Sequence, residues 1–134
     1  MKSINCKGRL INFSTPKVMG ILNVTPNSFF DGGKYNSTNK LEEQARKMLD
    51  EGADIIDLGA YSTQPNAPFV SEEEELNRMI PAVQQLVAAF PNIILSIDTF
   101  RAEVAKQALE NGAAIINDVS AGLLDDQMMQ VVGA

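Results

Sequence analysis

The sequence predicts an α/β fold: the N-terminal half of a (β/α)8 TIM barrel, with about four βα units preceded by a short N-terminal β-hairpin. Three observations lead there. Four apolar runs of strand length, "VMGILNV", "DIIDLGA", "IILSIDT" and "IINDVSA", are nearly continuous, as strands covered on both faces tend to be. Helical patterns separate them, so the strands run parallel with right-handed crossovers. "EGADIIDLGA" and "NGAAIINDVSA" echo one another, each reading helix end, Gly-Ala, two isoleucines and then an acidic or amide residue. An open doubly wound sheet shares this alternation, but no GxGxxG or Walker pattern follows any strand, which favours the barrel. Closure requires twice as many units, and the last helical pattern ends at "VVGA" without a stop signal, so the chain reads as half of a longer one.

The elements follow in order. "INCKGRLINF" alternates apolar and polar residues around "KG", a hairpin able to close one end of the larger sheet. "NKLEEQARKMLDEG" is a helix with Asn39 as N-cap and Gly52 as its end. "SEEEELNRMIPAVQQLVAAF" offers Ser71 and Glu74 as a capping box, which makes the acidic run a helix start, and Pro81 should kink this helix or divide it in two. "RAEVAKQALENG" and "LLDDQMMQVV" supply the third and fourth helices. With no linker or low-complexity segment, residues 1–134 form a single domain, of which 1–16 are the hairpin and 17–134 the four βα units.

Composition narrows the partners. A formal net charge of -6 without a dense Lys/Arg cluster argues against nucleic acid or an anionic membrane and for a small-molecule ligand. The one cysteine, Cys6, cannot form an internal disulfide and reads as an inert thiol, and the absence of histidine argues against zinc. No signal-peptide core opens the chain and no stretch approaches the roughly 20 apolar residues of a membrane span, so a cytoplasmic location is expected.

Aligning the apolar runs places Asn23, Asp57, Asp98 and Asn117 toward the strand C-terminal ends, where parallel β/α folds bind ligands. Any one of them could simply cap a turn; four together make a site. Burying carboxylates beside amides is costly unless hydrogen bonds satisfy them, so the counterpart is a ligand rich in N–H groups, such as a heterocycle, or a cation. Asp57 is the one most suited to a structural role, for example holding a neighbouring loop, and Asp118 should point away into the wall. Two unusual loops lie on the same side. "NVTPNSFFDGG", Asn23 to Gly33, joins a stiff proline to a double glycine and carries two phenylalanines, which either cover a ligand or pack back on the body. "AYSTQPNAP", Ala60 to Pro68, holds Ser62 and Thr63, able to donate to an anion or orient a ring, or else forms a polar turn shaped by Pro65 and Pro68. Together the loops could form a lid with Phe29 and Pro65 on its apolar inner face.

These residues resemble the dihydropteroate synthase family, folate-pathway transferases on a β/α barrel. "MGILNVTPNSFFDGG" is similar to the family's first signature, "DIIDLGAYSTQPNA" to its second, and "SIDTFRAEVAKQALENGAAIINDVSAG" to the segment with two pterin-binding residues. The resemblance implies condensation of 6-hydroxymethyl-7,8-dihydropterin diphosphate with para-aminobenzoate, giving 7,8-dihydropteroate and diphosphate. Carried over position by position, it implies that Asn23 binds Mg2+ shared with the diphosphate and that Asp98 and Asn117 hydrogen-bond the pterin. Thr63 contacts substrate, Phe29 and Pro65 help form the para-aminobenzoate site, and Asp31 steadies the closed first loop, which makes Asp31 and Thr63 the catalytic pair. It also implies a homodimer for the full-length protein and a sulfonamide target, and it leaves the segment alone inactive, because the family's later Asp, Lys, Arg and His lie beyond Ala134. Two other readings stand beside it: a pterin-binding methyltransferase on the same barrel, against which the "TPNSFFDGG" loop argues, and a non-catalytic pterin-binding fragment.

Where the family usually has Asp and Arg, this chain has Asn27 and Gln64, and both changes remove a charge. Restoring the charge with Gln64→Arg in a full-length synthase should strengthen diphosphate-dependent binding by about 1 kcal/mol at low salt, a gain that fades as salt is added. Isothermal titration with pterin diphosphate at two ionic strengths checks this; unchanged affinity at both would make residue 64 a solvent-facing position.

Overall fold

The computed structural model describes residues 2–24, 37–61 and 69–134, with the backbone alone for 37–39. Two strands, β1 (Ser3–Cys6) and β2 (Arg9–Asn12), form the expected hairpin, paired antiparallel from Ser3 with Asn12 to Cys6 with Arg9. Lys7 and Gly8 between them have φ of 50° and 79°. Positive φ at both central residues twists the two-residue turn in the sense that the flanking strands require, and Asn5 Oδ1 accepts from the Gly8 N–H at 2.8 Å. The hairpin does not join the main sheet by strand pairing. It closes one end of it: Cys6 and Ile11 are buried against Ile55, Ile94, Ala114 and Ile115, and Arg9 Nη1 donates to the Asn92 carbonyl at 2.6 Å.

The main sheet holds β3 (Met19–Asn23), β4 (Ile55–Gly59), β5 (Leu95–Asp98) and β6 (Ile115–Asn117), all parallel and in chain order. Helices α1 (Ser37–Asp50), α2 (Glu72–Ala89) and α3 (Ala102–Glu110) form the crossovers, and α4 (Met128–Gly133) follows β6. On one face of the sheet Leu22, Ile56, Leu58, Leu95 and Ile97 are buried against Leu41, Ala45, Met79, Val83, Leu86, Val104 and Ala108 of the helices. That burial of aliphatic side chains, worth roughly 1.5–3 kcal/mol for each large one, holds strands and helices together. The other face presents Ile21, Asn23, Asp57, Gly59, Ser96, Asp98, Ile115 and Asn117, because side chains alternate along a strand.

Two helix details differ from expectation. The first helix begins at Ser37, so Asn39 lies within its first turn and is not the N-cap. Cap-favouring residues are tolerated there because first-turn N–H groups have no intrahelical carbonyl to lose. The second helix runs unbroken through Pro81, which is exposed, while Met79, Ala82 and Val83 on both sides of it are buried and hold the two halves to the same core. Its N-cap is half of a capping box: Ser71 Oγ accepts from the Glu74 N–H at 3.2 Å, but the Glu74 carboxylate turns to Arg78 Nε at 2.9 Å.

Gly112, in the turn from α3 to β6, has φ of 117°, and a Cβ there would lie 2.9 Å from Val87 Cγ2. Gly8 has φ of 79° with open space around the same position. Both resist a side chain through the backbone, and only Gly112 also resists through packing. Gly8→Ala should cost about 1–2 kcal/mol and Gly112→Ala about 1–3 kcal/mol more. Urea unfolding of the two variants compares them; equal losses would mean that Val87 yields freely.

Candidate ligand-binding site

The register brings Asn23, Gly59, Asp98 and Asn117 into one row across the C-terminal ends of the four strands. Gly59 lets Asn23 and Asp98 come together over the middle of the row: it is buried, and a Cβ on it would meet Asn23 Oδ1 at 3.3 Å and Asp98 Oδ2 at 3.7 Å. Asn23 is exposed, and Asp98 and Asn117 are half-buried. Three of the expected site residues are thus brought together in the way the aligned apolar runs predicted. Phe29, Asp31, Thr63 and Pro65 lie outside the described residues, as do Asn27, Ser62 and Gln64.

One layer below, Asp57 is paired in register with Ile21 and Ser96. Among the described residues its partner lies at the end of β6, not in a loop. Only 3% exposed, its carboxylate accepts one hydrogen bond, from Asn117 Nδ2 to Oδ2 at 3.3 Å, while Asp57 Oδ1 and the fully buried Ser96 Oγ have no partner among the described residues. Asp118 also departs from expectation. It does not run into the wall but folds the loop after β6, its Oδ1 accepting from the Ser120 N–H at 2.9 Å and Ser120 Oγ at 2.7 Å, and its Oδ2 from the Gly122 N–H at 2.8 Å. A short acceptor beside a loop that turns through positive φ at Ala121 and Gly122 satisfies those donors better than a place among apolar side chains would.

A second cluster escaped the sequence reading. Glu75 of α2 is completely buried, accepting from Thr99 Oγ1 at 2.6 Å and Arg101 Nη1 at 2.7 Å. Arg101 also donates through Nη2 to the Val70 carbonyl at 2.7 Å and lies over the rings of Phe69 and Phe100, 5.8 and 4.7 Å from their centroids. Tyr61 meets Phe100 edge-on at 6.2 Å. The signal was present in "EEEE" and "DTFR", but a run of four glutamates looks alike at every position until the helix phase shows which one faces inward. Beside this cluster a cavity of about 310 Å³ opens next to Asp98, lined by Tyr61, Phe100, Val119 and Leu124 among others.

The site is electronegative. Burial raises the Asp98 carboxyl, helped by the charges of Asp57, Glu75 and Asp118, to about 6. Burial, then Asp98 and Glu75, push the Tyr61 phenol up to about 12. No group of three or more His, Cys, Asp or Glu side chains able to hold a metal occurs among the described residues. The exposed Asn23 amide oxygen at the end of the row fits a different kind of site, in which a hard cation such as Mg2+ takes one protein oxygen and fills its remaining positions with water and substrate phosphates.

The fold and the row define half of a β/α barrel with polar side chains gathered at the carboxyl ends of its strands. The chain belongs to the pterin binding enzyme family, whose model matches residues 19–134. It is 53% identical over 116 residues to a dihydropteroate synthase of Staphylococcus haemolyticus, a match covering 87% of this chain and 43% of that one. It is 52% identical over 118 residues to a mitochondrial folate synthesis bifunctional protein of Arabidopsis thaliana, covering 86% and 21%. The solved dihydropteroate synthase of Xanthomonas albilineans with 4-aminobenzoic acid superposes with a TM-score of 0.89 at 41% identity, covering 98% of this chain and 48% of that one. The chain therefore spans less than half the length of these relatives and corresponds to the N-terminal half of their TIM barrel. No helix among the described residues is long and apolar enough to cross a membrane.

Because the folded Asp98 value of about 6 exceeds the ordinary 3.8, the folded chain holds the proton more tightly than the unfolded one. Ionised Asp98 thus costs stability at and above pH values near the folded value, and the cost vanishes as pH falls toward the unfolded value. Asp98→Asn should be more stable than the parent at pH 7, with the difference shrinking to nothing by about pH 4. Urea midpoints across this range, in metal-free buffer, measure it; a difference constant with pH would mean that neither burial nor the neighbouring carboxylates raise Asp98.

Proposed function

We propose that this chain forms the substrate-binding N-terminal half of a cytoplasmic dihydropteroate synthase, which joins 6-hydroxymethyl-7,8-dihydropterin diphosphate to para-aminobenzoate and releases diphosphate. The observation that carries this reading is the in-register row of Asn23, Gly59, Asp98 and Asn117, open at the strand ends of a chain about half identical to such synthases. Asp98 and Asn117 accept from the pterin N–H groups, and the missing side chain at Gly59 lets Asn23 and Asp98 lie side by side in the row. Asn23 would hold Mg2+, which when bound neutralises charge on the departing diphosphate. A ring held by hydrogen bonds along one edge can spread positive charge from its exocyclic methylene as the diphosphate leaves, and the arylamine nitrogen attacks that carbon. The C–O bond breaks as the C–N bond forms, and the amine proton passes to solvent or to diphosphate. No protein nucleophile is required, in keeping with a buried Cys6 at the opposite end of the sheet and no histidine. Asp31, Thr63, Phe29 and Pro65 complete the reading as residues of the two loops that would seat and cover para-aminobenzoate.

In a full-length synthase carrying this chain, Asp98→Ala and Asn117→Ala should each weaken pterin diphosphate binding by about 1–3 kcal/mol, leaving a ligand donor unpaired. Asn23→Ala should act through the metal, so that its defect shrinks as Mg2+ is raised. Calorimetric titration over a series of Mg2+ concentrations separates the two roles; a magnesium-independent loss at Asn23 would assign it to the ring.

A further inference from the structure

Asp57 combines features that burial for stability does not account for. It is a carboxylate in the middle of a strand, 3% exposed, with no arginine, lysine or backbone N–H paired to it among the described residues. Its one hydrogen bond comes from Asn117 Nδ2 at 3.3 Å, and its second oxygen has no partner. A buried carboxylate left in this state is costly. Serine or asparagine would fill the position more cheaply.

What the carboxylate adds is direction. A side-chain amide opposite Asn117 could donate or accept, so the pair could form with either end of the Asn117 amide turned inward. An ionised carboxylate only accepts. It therefore draws the Nδ2 end of Asn117 down into the sheet and leaves Oδ1 facing the ligand row.

We propose that Asp57 is a positioning residue that fixes the Asn117 amide with its carbonyl oxygen toward the ligand, so that the site selects a ring presenting an N–H at that point. This deepens the pterin reading and rests on it. Asp57 touches no substrate; it sets the amide orientation through Asn117, and its cost to stability is the counterpart of that selectivity.

The test uses a full-length synthase carrying this chain, with 6-hydroxymethylpterin as probe and Asp57→Asn as the variant. Affinity should fall about tenfold, the weight of one misdirected hydrogen bond, because the new amide lets Asn117 turn. The Tm should stay level or rise, since a buried charge has been removed. A variant that binds as the parent does, or whose Tm falls together with its affinity, overturns the proposal. A second readout needs no ligand. With 15N-labelled asparagine, the Asn117 side-chain N–H held by a carboxylate should resonate downfield in the parent and lose that shift in Asp57→Asn; an unchanged resonance also overturns it. If parent and Asn117→Ala bind the probe equally, the pterin reading of the row is what fails, and the amide resonance still decides whether Asp57 directs Asn117.

Discussion

The buried carboxylate of Glu75 constrains the whole ligand end of the molecule. A completely buried charge must be met by hydrogen bonds, and those that meet it come from Thr99 and Arg101, immediately after β5. The same guanidinium reaches the Val70 carbonyl just before α2 and lies over the rings of Phe69 and Phe100. One ion pair thus ties together a helix start, a strand end and the segment entering that helix. Such a pair adds little net stability over a well-packed apolar substitute, yet leaving either partner alone would cost about 3–5 kcal/mol. Its effect is therefore on geometry: few arrangements of the β5–α3 turn satisfy Glu75, and Asp98 is carried one residue before Thr99. Asp125 completes the clamp from the other side by accepting the Ala102 N–H at 2.7 Å, so that the loop after β6 caps α3.

Much of this architecture was legible in the residues. The four apolar runs became the four parallel strands, because a strand covered by helices on one face and by barrel interior on the other has little choice but to be apolar for its length. "KG" marked the hairpin turn, since glycine readily takes the positive φ that such a turn demands. Asn23, Asp98 and Asn117 could be placed in one row by aligning strand ends, because parallel register fixes which residues are neighbours. Partner choice was not legible. Glu75, Asp57 and Asp118 each had several conceivable partners, and which one each found depends on three-dimensional distances that the spacing along the chain does not encode. The start of the first helix was misplaced for a related reason: Ser37, Thr38 and Asn39 are all able caps, and local chemistry does not rank them.

The interior face of the sheet changes character along the strands. At one end Ile55, Ile94 and Ile115 are sealed by the hairpin through Cys6 and Ile11, which keeps water from that end of the sheet. At the other end every strand terminates in a residue without an aliphatic side chain. Asp57 and Ser96 stand at the boundary, each with an unpartnered oxygen, where apolar packing has stopped and the open row has not yet begun. Dispersion and burial hold the lower layers; the upper layer is held by hydrogen bonds and charge.

Charge is also unevenly distributed within that upper row. Asn23 brings a neutral oxygen to the β3 end, whereas the Asp98 carboxyl is raised by its burial and then by the charges of Asp57, Glu75 and Asp118. A ligand with N–H donors at one end and an anionic group at the other meets two different fields. Laid with its donors over Asp98 and Asn117, it relieves the repulsion among the carboxylates; laid the other way, it adds a charge to them. At separations of 4 Å in a partly buried site a like-charge contact costs about 4 kcal/mol, which is enough to fix the orientation before any specific hydrogen bond is counted. On the proposed function, the row would sort the two ends of a polar heterocyclic phosphate by electrostatics, and hydrogen bonds to Asp98 and Asn117 would be left to decide which heterocycle is bound.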